Sequence, residues 1–377
     1  MKKKIVVSAV NFTEMGPASI FRDALRYLSA SLSHQFEIVA LVHRKTLFDI
    51  PNVTYIEFPA AKSSYLLRLY YELVSFEALS RKLKPYLWLS LHDITPNVKA
   101  ERRAVYCHNP SPFYKLRWQD VIIDPKFALI SRLYSQLYRL NIKKNDFIIV
   151  QQEWLRREFE LRYGMDNVIV AHPNICIPPE LIEGDSSKGD GRFRFFYPCF
   201  PRVFKNVETV LEAARIMERR GEVDFEVLLT FDGSENRYAR RLVKRFSNLQ
   251  CVRFLGTMER AEVFKRYKQV NCVVFASILE TWGLPITEFE QFNKPLLVAD
   301  LPYGHETVGS YSKAAFFDPT DAENLANLMS AAMIGSLAFH PIEPRNVRAP
   351  FARGWGELFS ILLGAGVSAD GKGEVKG

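Results

Sequence analysis

Short apolar runs alternate with longer stretches in which apolar residues recur at helical spacing, and the alternation continues along nearly the whole chain. Parallel strands need a crossover between them, most often a helix, so this alternation is the signature of parallel α/β layers. In the first half the pattern predicts strands over Ile5–Val10, Phe36–Val42, Val53–Phe58, Tyr86–Leu91, Arg103–Cys107, Phe147–Gln151 and Asn167–Ala171. Helices are predicted over Ala18–Ser31, Tyr65–Leu83, Lys126–Leu140 and Trp154–Tyr163, with a turn around Gly16-Pro17.

The pattern breaks once. His172–Pro179 is dense in proline, which neither a helix interior nor a central strand accepts. Gly184–Gly191 is polar and glycine-rich. The alternation then restarts, with strands over Phe193–Tyr197, Phe225–Thr230, Val252–Leu255, Cys272–Phe275, Leu296–Ala299 and Ala314–Phe317. Helices are predicted over Val207–Glu218, Glu235–Phe246, Arg260–Tyr267, Ile286–Phe292 and Ala322–Met333. Two doubly wound, Rossmann-like α/β domains follow: residues 1–175, a hinge and linker over 176–191, and residues 192–350. In such folds ligands gather at the carboxyl ends of the strands, so both domains are expected to face one cleft. Residues 351–364 read as a terminal helix and 365–377 as a disordered, low-complexity tail.

Composition narrows the function classes. The 377 residues are 48% hydrophobic and 24% charged, which supplies two cores and excludes disordered, collagenous and coiled-coil chains. Five cysteines without a CxxC pair exclude a disulfide framework and a zinc ribbon. No apolar run approaches the about 18 residues of a membrane span. The basic start, MKKK, leads into an apolar run too short for a secretion signal, so a cytoplasmic protein is expected. Neither a GxGxxG after the first strand nor a GxxxxGK[ST] occurs, which disfavours a plain dehydrogenase and excludes a P-loop ATPase.

The net charge of +8 is one-sided. Residues 1–175 hold 25 Lys and Arg against 16 Asp and Glu, whereas residues 176–377 hold 25 against 26. A basic half fits a solvated face, an anionic membrane surface or nucleic acid. No basic run with interleaved aromatics accompanies it, so no nucleic-acid partner is expected. A peripheral contact with the inner face of the cell membrane would use Lys62, Arg68, Arg102, Arg103, Lys115 and Arg117, with Tyr65, Leu66, Leu69 and Tyr70.

Four polar constellations sit in loops after predicted strands. Glu280 and Glu288 lie in Ser277–Glu290, a strand–turn–helix passage through Gly283; Glu288 falls in the first turn expected of its helix, where the dipole favours an anion. Amides near Gly283-Leu284 are free to receive a phosphate or sugar oxygen. Arg202 and Lys205 lie between the second domain's first strand and first helix, where two cations suit a diphosphate. His108, in Tyr106–Pro112, ends a strand of the first domain, and Asp300–Glu306 forms a loop with Gly304 among polar groups. Carboxylates and histidines have no metal-ligand spacing, so no bound metal is expected.

At these residues the sequence resembles the retaining glycosyltransferases of family 4, which have the GT-B fold, and the resemblance runs to about Gly364. Its most specific mark is the carboxylate pair Glu280-Thr-Trp-Gly-Leu-Pro-Ile-Thr-Glu288. Pro201–Asn206 resembles the family's diphosphate-binding basic pair, with closer spacing than many members. Cys107–Phe113 and Asp300–Glu306 resemble a branch acting on mannose- or rhamnose-like sugars in surface polysaccharide assembly.

The resemblance implies that Arg202 and Lys205 grip the pyrophosphate of a GDP-, UDP- or dTDP-sugar and that Glu288 binds the ribose hydroxyls. Glu280 would contact the transferred sugar, Thr281, Trp282, Gly283 and Leu284 would line its pocket, and His108 would meet the sugar from the first domain. Gly16 stands where the family has a double glycine closing on the diphosphate, and Thr281-Trp282 replaces the commoner Gly-Phe. The implied reaction is metal-independent transfer, without a permanent cofactor, to a saccharide or lipid-linked saccharide hydroxyl. Residues 351–364 would cross back to the first domain. The rival readings are a sugar-nucleotide epimerase of the same fold and a non-enzymatic nucleotide-sugar-binding scaffold.

Overall fold

The computed structural model describes residues 2–12, 15–175, 177–182, 191–340 and 347–364. It contains two compact units. Of the described residues, one takes in those up to Phe113, Ser131–Asn174 and those from Val347 onward; the other takes in Tyr114–Ile130 and those between Ile175 and residue 340. Tyr114–Ile130 thus groups with the second unit rather than with the residues around it in sequence, and the described residues from Val347 onward group with the first.

The first unit is built on an all-parallel sheet of β1 (Lys3–Ala9), β2 (Phe36–Val42), β3 (Val53–Glu57), β4 (Leu87–Ser90), β5 (Arg102–Tyr106), β6 (Phe147–Val150), β7 (Val168–His172) and, from the chain's end, β14 (Phe351–Arg353). Its order is β14-β7-β6-β5-β4-β1-β2-β3. β4 is buried throughout and β6 nearly so, as strands covered on both faces must be, while the edge strand β3 is buried nowhere along its length. α1 (Met15–Tyr27) packs on one face, where Phe21 and Leu25 join Ile5, Val7 and Ile38. On the other face, Phe76 of α3 (Phe76–Leu83) meets Val6, Val39 and Trp88.

The second unit has a six-stranded parallel sheet: β8 (Phe193–Tyr197), β9 (Phe225–Leu229), β10 (Val252–Phe254), β11 (Cys272–Phe275), β12 (Leu296–Ala299) and β13 (Ala314–Phe317). The order β10-β9-β8-β11-β12-β13 reverses direction between β8 and β11, which makes the crevice above those two strands the natural ligand position. Its helices include α8 (Val207–Arg219), α9 (Arg237–Phe246), α10 (Arg260–Gln269), α11 (Leu284–Glu290), α12 (Pro302–Val308) and α13 (Ala322–Met333).

Several local expectations are corrected. Gly16-Pro17 is not a turn before the helix but part of the first turn of α1, where proline's fixed φ is tolerated; Thr13 and Glu14 lie outside the described residues. The helix expected over Tyr65–Leu83 is divided into α2 (Tyr65–Tyr70) and α3 by a π turn at Tyr71–Ser75. Before α5 (Pro125–Arg139) stands an unforeseen short helix, α4 (Trp118–Ile123). Asp300–Glu306 is not a loop, since α12 begins at Pro302. The terminal segment is the strand β14 followed by α14 (Gly354–Leu363), whose Leu358, Phe359, Leu362 and Leu363 complete the first unit's core. Most of the expected linker (Cys176 and residues 183–190) and the whole 365–377 tail lie outside the described residues.

Candidate active site

The switch crevice of the second unit is framed by the loops that leave β8 and β11. After β8 the chain reaches Arg202, makes a 3-10 turn over Val203–Lys205, and enters α8 through Asn206, whose φ of 53° redirects it. After β11 it passes Ser277, Glu280 and Trp282 before Gly283 starts α11. The two loops are laced together: the Ile278 amide donates to the Phe204 carbonyl at 2.8 Å, and the Ser277 hydroxyl donates to the same oxygen at 3.2 Å. The Lys205 carbonyl accepts from the Tyr197 hydroxyl at 2.7 Å.

This scaffold brings two expected residues into contact. The Lys205 ammonium donates to Glu280 Oε1, and both side chains are largely shielded from solvent. Lys205 also stands 5.7 Å from the centre of the Phe275 ring, so apolar surface flanks the pair and weakens its screening. Arg202 is more open, lies over Phe200 and faces Asp124 at 3.4 Å. Asp124 reaches it from the α4–α5 junction, a segment far away in sequence.

Gly283 has a φ of 96°, and a Cβ there would come within 3.2 Å of Ile286 and 3.3 Å of Phe275. Only glycine gives this turn without strain. Pro285 then occupies the first turn of α11, where no amide donor is lost. Trp282 is buried, its indole N–H donating to the Thr287 hydroxyl at 2.9 Å and its carbonyl accepting from the Thr307 hydroxyl on α12. Thr281 is half-buried beside it.

Glu288 is the fifth residue of α11, beyond the first turn, so the expected dipole role does not apply. Instead it is buried and accepts from the Arg260 guanidinium at 3.0 Å and the Tyr267 hydroxyl at 3.3 Å. Burial raises its pKa, with Arg260 acting in the opposite direction. Nothing in the local sequence pointed to Arg260 or Tyr267, because both stand on α10, more than twenty residues earlier.

On α12, Gly304 has a packing reason: a Cβ would lie 2.8 Å from the Ala299 carbonyl. His305 stacks on Phe316 and bonds Asp300 at 2.6 Å.

His108 and Gly16 belong to the first unit. The His108 amide donates to Asp93 Oδ1 at 2.6 Å, and its ring stacks on Tyr106 with centroids 4.3 Å apart. Burial pushes the imidazole down to about 4, so it is neutral near pH 7. Its Nε2 is buried with no hydrogen-bond partner, an acceptor without a donor. A cluster missed at the sequence level lies near the ends of β1 and β4: buried His92 contacts Ser8 at 3.0 Å and Glu72 at 3.1 Å, and Glu72 also pairs with Arg68 at 2.9 Å. Arg68 is therefore enclosed and cannot meet a membrane. Arg102 is likewise engaged, donating to the Leu362 carbonyl at 2.7 Å.

Residues 180–342 match the family described as glycosyl transferases group 1. That match falls within the second unit. A curated relative, the GtfA subunit of the UDP-N-acetylglucosamine–peptide N-acetylglucosaminyltransferase of Streptococcus pneumoniae, is 24% identical over 200 residues. That match covers 51% of this chain but only 38% of the relative's length.

Solved structures resemble the chain more fully. Sucrose-phosphate synthase from Thermosynechococcus elongatus covers 89% of this chain and 92% of its own, with a TM-score of 0.65 at 15% identity. HepE from Anabaena, in complex with UDP, covers 89% and 93%, with a TM-score of 0.58 at 14% identity. The fold is GT-B, as the sequence implied. The matched family and the curated relative are both glycosyltransferases. Among the described residues no helix is long and apolar enough to cross a membrane.

Proposed function

We propose that the protein is a retaining glycosyltransferase of the family 4 type, transferring a sugar from a nucleoside-diphosphate donor to a saccharide or lipid-linked saccharide hydroxyl. The observation that carries this reading is the Lys205–Glu280 pair at the switch crevice of a group 1 domain. It sets a cation for the diphosphate against a carboxylate for the sugar, and Arg202 adds a second cation on the same loop. Glu288 serves the ribose hydroxyls, while Thr281, Trp282, Gly283 and Leu284 shape the sugar pocket. From the first unit, neutral His108 accepts a hydrogen bond from a sugar hydroxyl through Nε2, and the α1 entrance at Gly16 borders the diphosphate. The UDP held by HepE supports a nucleoside diphosphate as the donor's carrier.

In the proposed reaction the bond from the anomeric carbon to the diphosphate breaks, and the acceptor oxygen bonds to the same face. The acceptor's proton passes to the departing phosphate oxygen. Arg202 and Lys205 stabilise the charge that grows there, so the step requires no metal ion. The branch assembling surface polysaccharides from mannose- or rhamnose-like sugars is the favoured setting, in the cytoplasm at the inner membrane face.

Incubating the purified chain with UDP-, GDP- and dTDP-sugars and saccharide acceptors tests the reading. Transfer should appear with one donor class and fall by about a hundredfold or more in Lys205→Ala and Glu280→Ala. Full activity in both variants, or donor epimerisation without acceptor, would overturn it.

A further inference from the structure

The buried cluster near the ends of β1 and β4 supports a strained turn. Asp93, the residue after His92, has a φ of 71°, and the Ile94 amide donates back to the His92 carbonyl at 2.8 Å. A hydrogen bond closed over one residue of positive φ is a γ-turn of the rare, strained kind. A residue other than glycine stays in it only where its surroundings hold it there. Arg68 supplies that hold, donating at 2.8 Å to the same His92 carbonyl. Glu72 and Ser8 fix the His92 ring on either side, and all four side chains are buried. Taking these polar groups out of water is costly. If the chain needed only to turn here, glycine would do so without strain.

What the turn delivers is a carboxylate. Asp93 Oδ1 accepts from the His108 amide at 2.6 Å and the Asn109 amide at 3.0 Å, and the Tyr138 hydroxyl of α5 lies 3.0 Å from it. The pairing with β6 still holds at Cys107, whose amide donates to the Ile149 carbonyl at 2.9 Å. Beyond Cys107, Asp93 takes over as the acceptor. Phe12, on the chain leaving β1, stands edge-on to both the His92 and the His108 rings.

We propose that Asp93 is a positioning residue: held by the Arg68–Glu72–His92 cluster, its carboxylate fixes the backbone from which the His108 ring is presented to the transferred sugar. All of these residues belong to the first unit. The purpose of the placement rests on the transferase reading; the placement itself does not.

NMR titration of the imidazoles in the full chain reads the placement, with the His108 signal identified by its absence from His108→Gln. In the native protein this ring titrates at about 4, because burial outweighs the upward pull of Asp93's charge, and His92 adds to the lowering. Asp93→Gly keeps the turn and removes the acceptor. A released ring gains water, and its pKa rises toward about 6.5; a ring that stays in place loses only a favourable charge, and its pKa falls. We expect the rise. Asp93→Asn retains an acceptor oxygen for both amides and tolerates the positive φ, so its His108 should stay at or below the native value. With an active donor, kcat should fall about tenfold or more in Asp93→Gly and return to within about twofold of native in Asp93→Asn. Affinity for that donor's nucleoside diphosphate alone (UDP, GDP or dTDP) should be the same in all three proteins. A falling His108 pKa in Asp93→Gly, undiminished transfer by it, or an Asp93→Asn protein with a released ring or as little transfer as Asp93→Gly would overturn the inference. Asp93→Asn decides by itself where Asp93→Gly does not fold. If the native chain transfers from no donor, the transferase reading falls, and the ring titration alone decides the part of Asp93.

Discussion

Glu288 shows how one residue's surroundings decide its chemistry. A carboxylate buried beside β-sheet core would ordinarily take up a proton, and burial does raise its pKa. Arg260 opposes that shift from a more exposed position, and Tyr267 supplies a neutral donor. In Arg260→Ala the opposing charge is gone, so the pKa moves further up and ionisation requires higher pH. If ionised Glu288 holds the donor's ribose, donor affinity should rise with pH in both proteins. The rise should come at higher pH in Arg260→Ala, with donor KM raised about tenfold near neutrality and kcat changed less. Donor titrations across pH 5 to about 9 read this directly; superimposable profiles would deny Arg260 its part.

At the scale of elements, Gly283 joins β11 to α11, and its replacement tests the turn rather than any side-chain chemistry. Gly283→Ala forces a Cβ into a left-handed backbone already crowded by Ile286 and Phe275. We expect a loss of about 1–3 kcal/mol in thermal or denaturant unfolding, together with weaker donor binding, because Trp282 and Leu284 shift with the turn. Unchanged stability would show that the turn relaxes freely. The strands on either side were legible because buried parallel strands read as unbroken apolar runs, as in Cys272–Phe275 and Leu296–Ala299. Loops carrying Arg202, Lys205 and Glu280 were legible for the related reason that polar residues follow such runs. Elements that imitate a loop, or that have too few residues to show an alternation, were not. α12 begins at a proline and contains Gly304, which imitates a loop, and β14 is three residues long and directly abuts a helix. Asp124, Arg260 and Tyr267 left no local signal, since each acts on a partner more than twenty residues away.

For the whole molecule, the informative feature is that the chain returns to its first unit at the end. β14 pairs in parallel with β7 through Phe351–Val170, Ala352–Ala171 and Arg353–His172. α14 then lays Leu358, Phe359, Leu362 and Leu363 into the core formed by β1, β2 and α1. Phe359 stacks on Tyr27, and the Leu363 carbonyl accepts from the Tyr86 hydroxyl at 3.1 Å. This closing segment is therefore part of the first unit's core, although more than 170 residues separate it from β7. Removing it would strip a strand from the sheet edge and uncover apolar surface over α1. A chain ending at residue 346 should express poorly or lose its cooperative unfolding transition, while Phe359→Ala in the full chain should lower stability by about 3–5 kcal/mol. Hydrogen exchange locates the effect: amides of β1, β2 and β7 should lose protection in Phe359→Ala while those of β8 and β11 keep theirs. Equal loss in both sheets would mean that the two units unfold as one cooperative body, and undiminished protection of β7 would mean that the segment merely decorates a core complete without it.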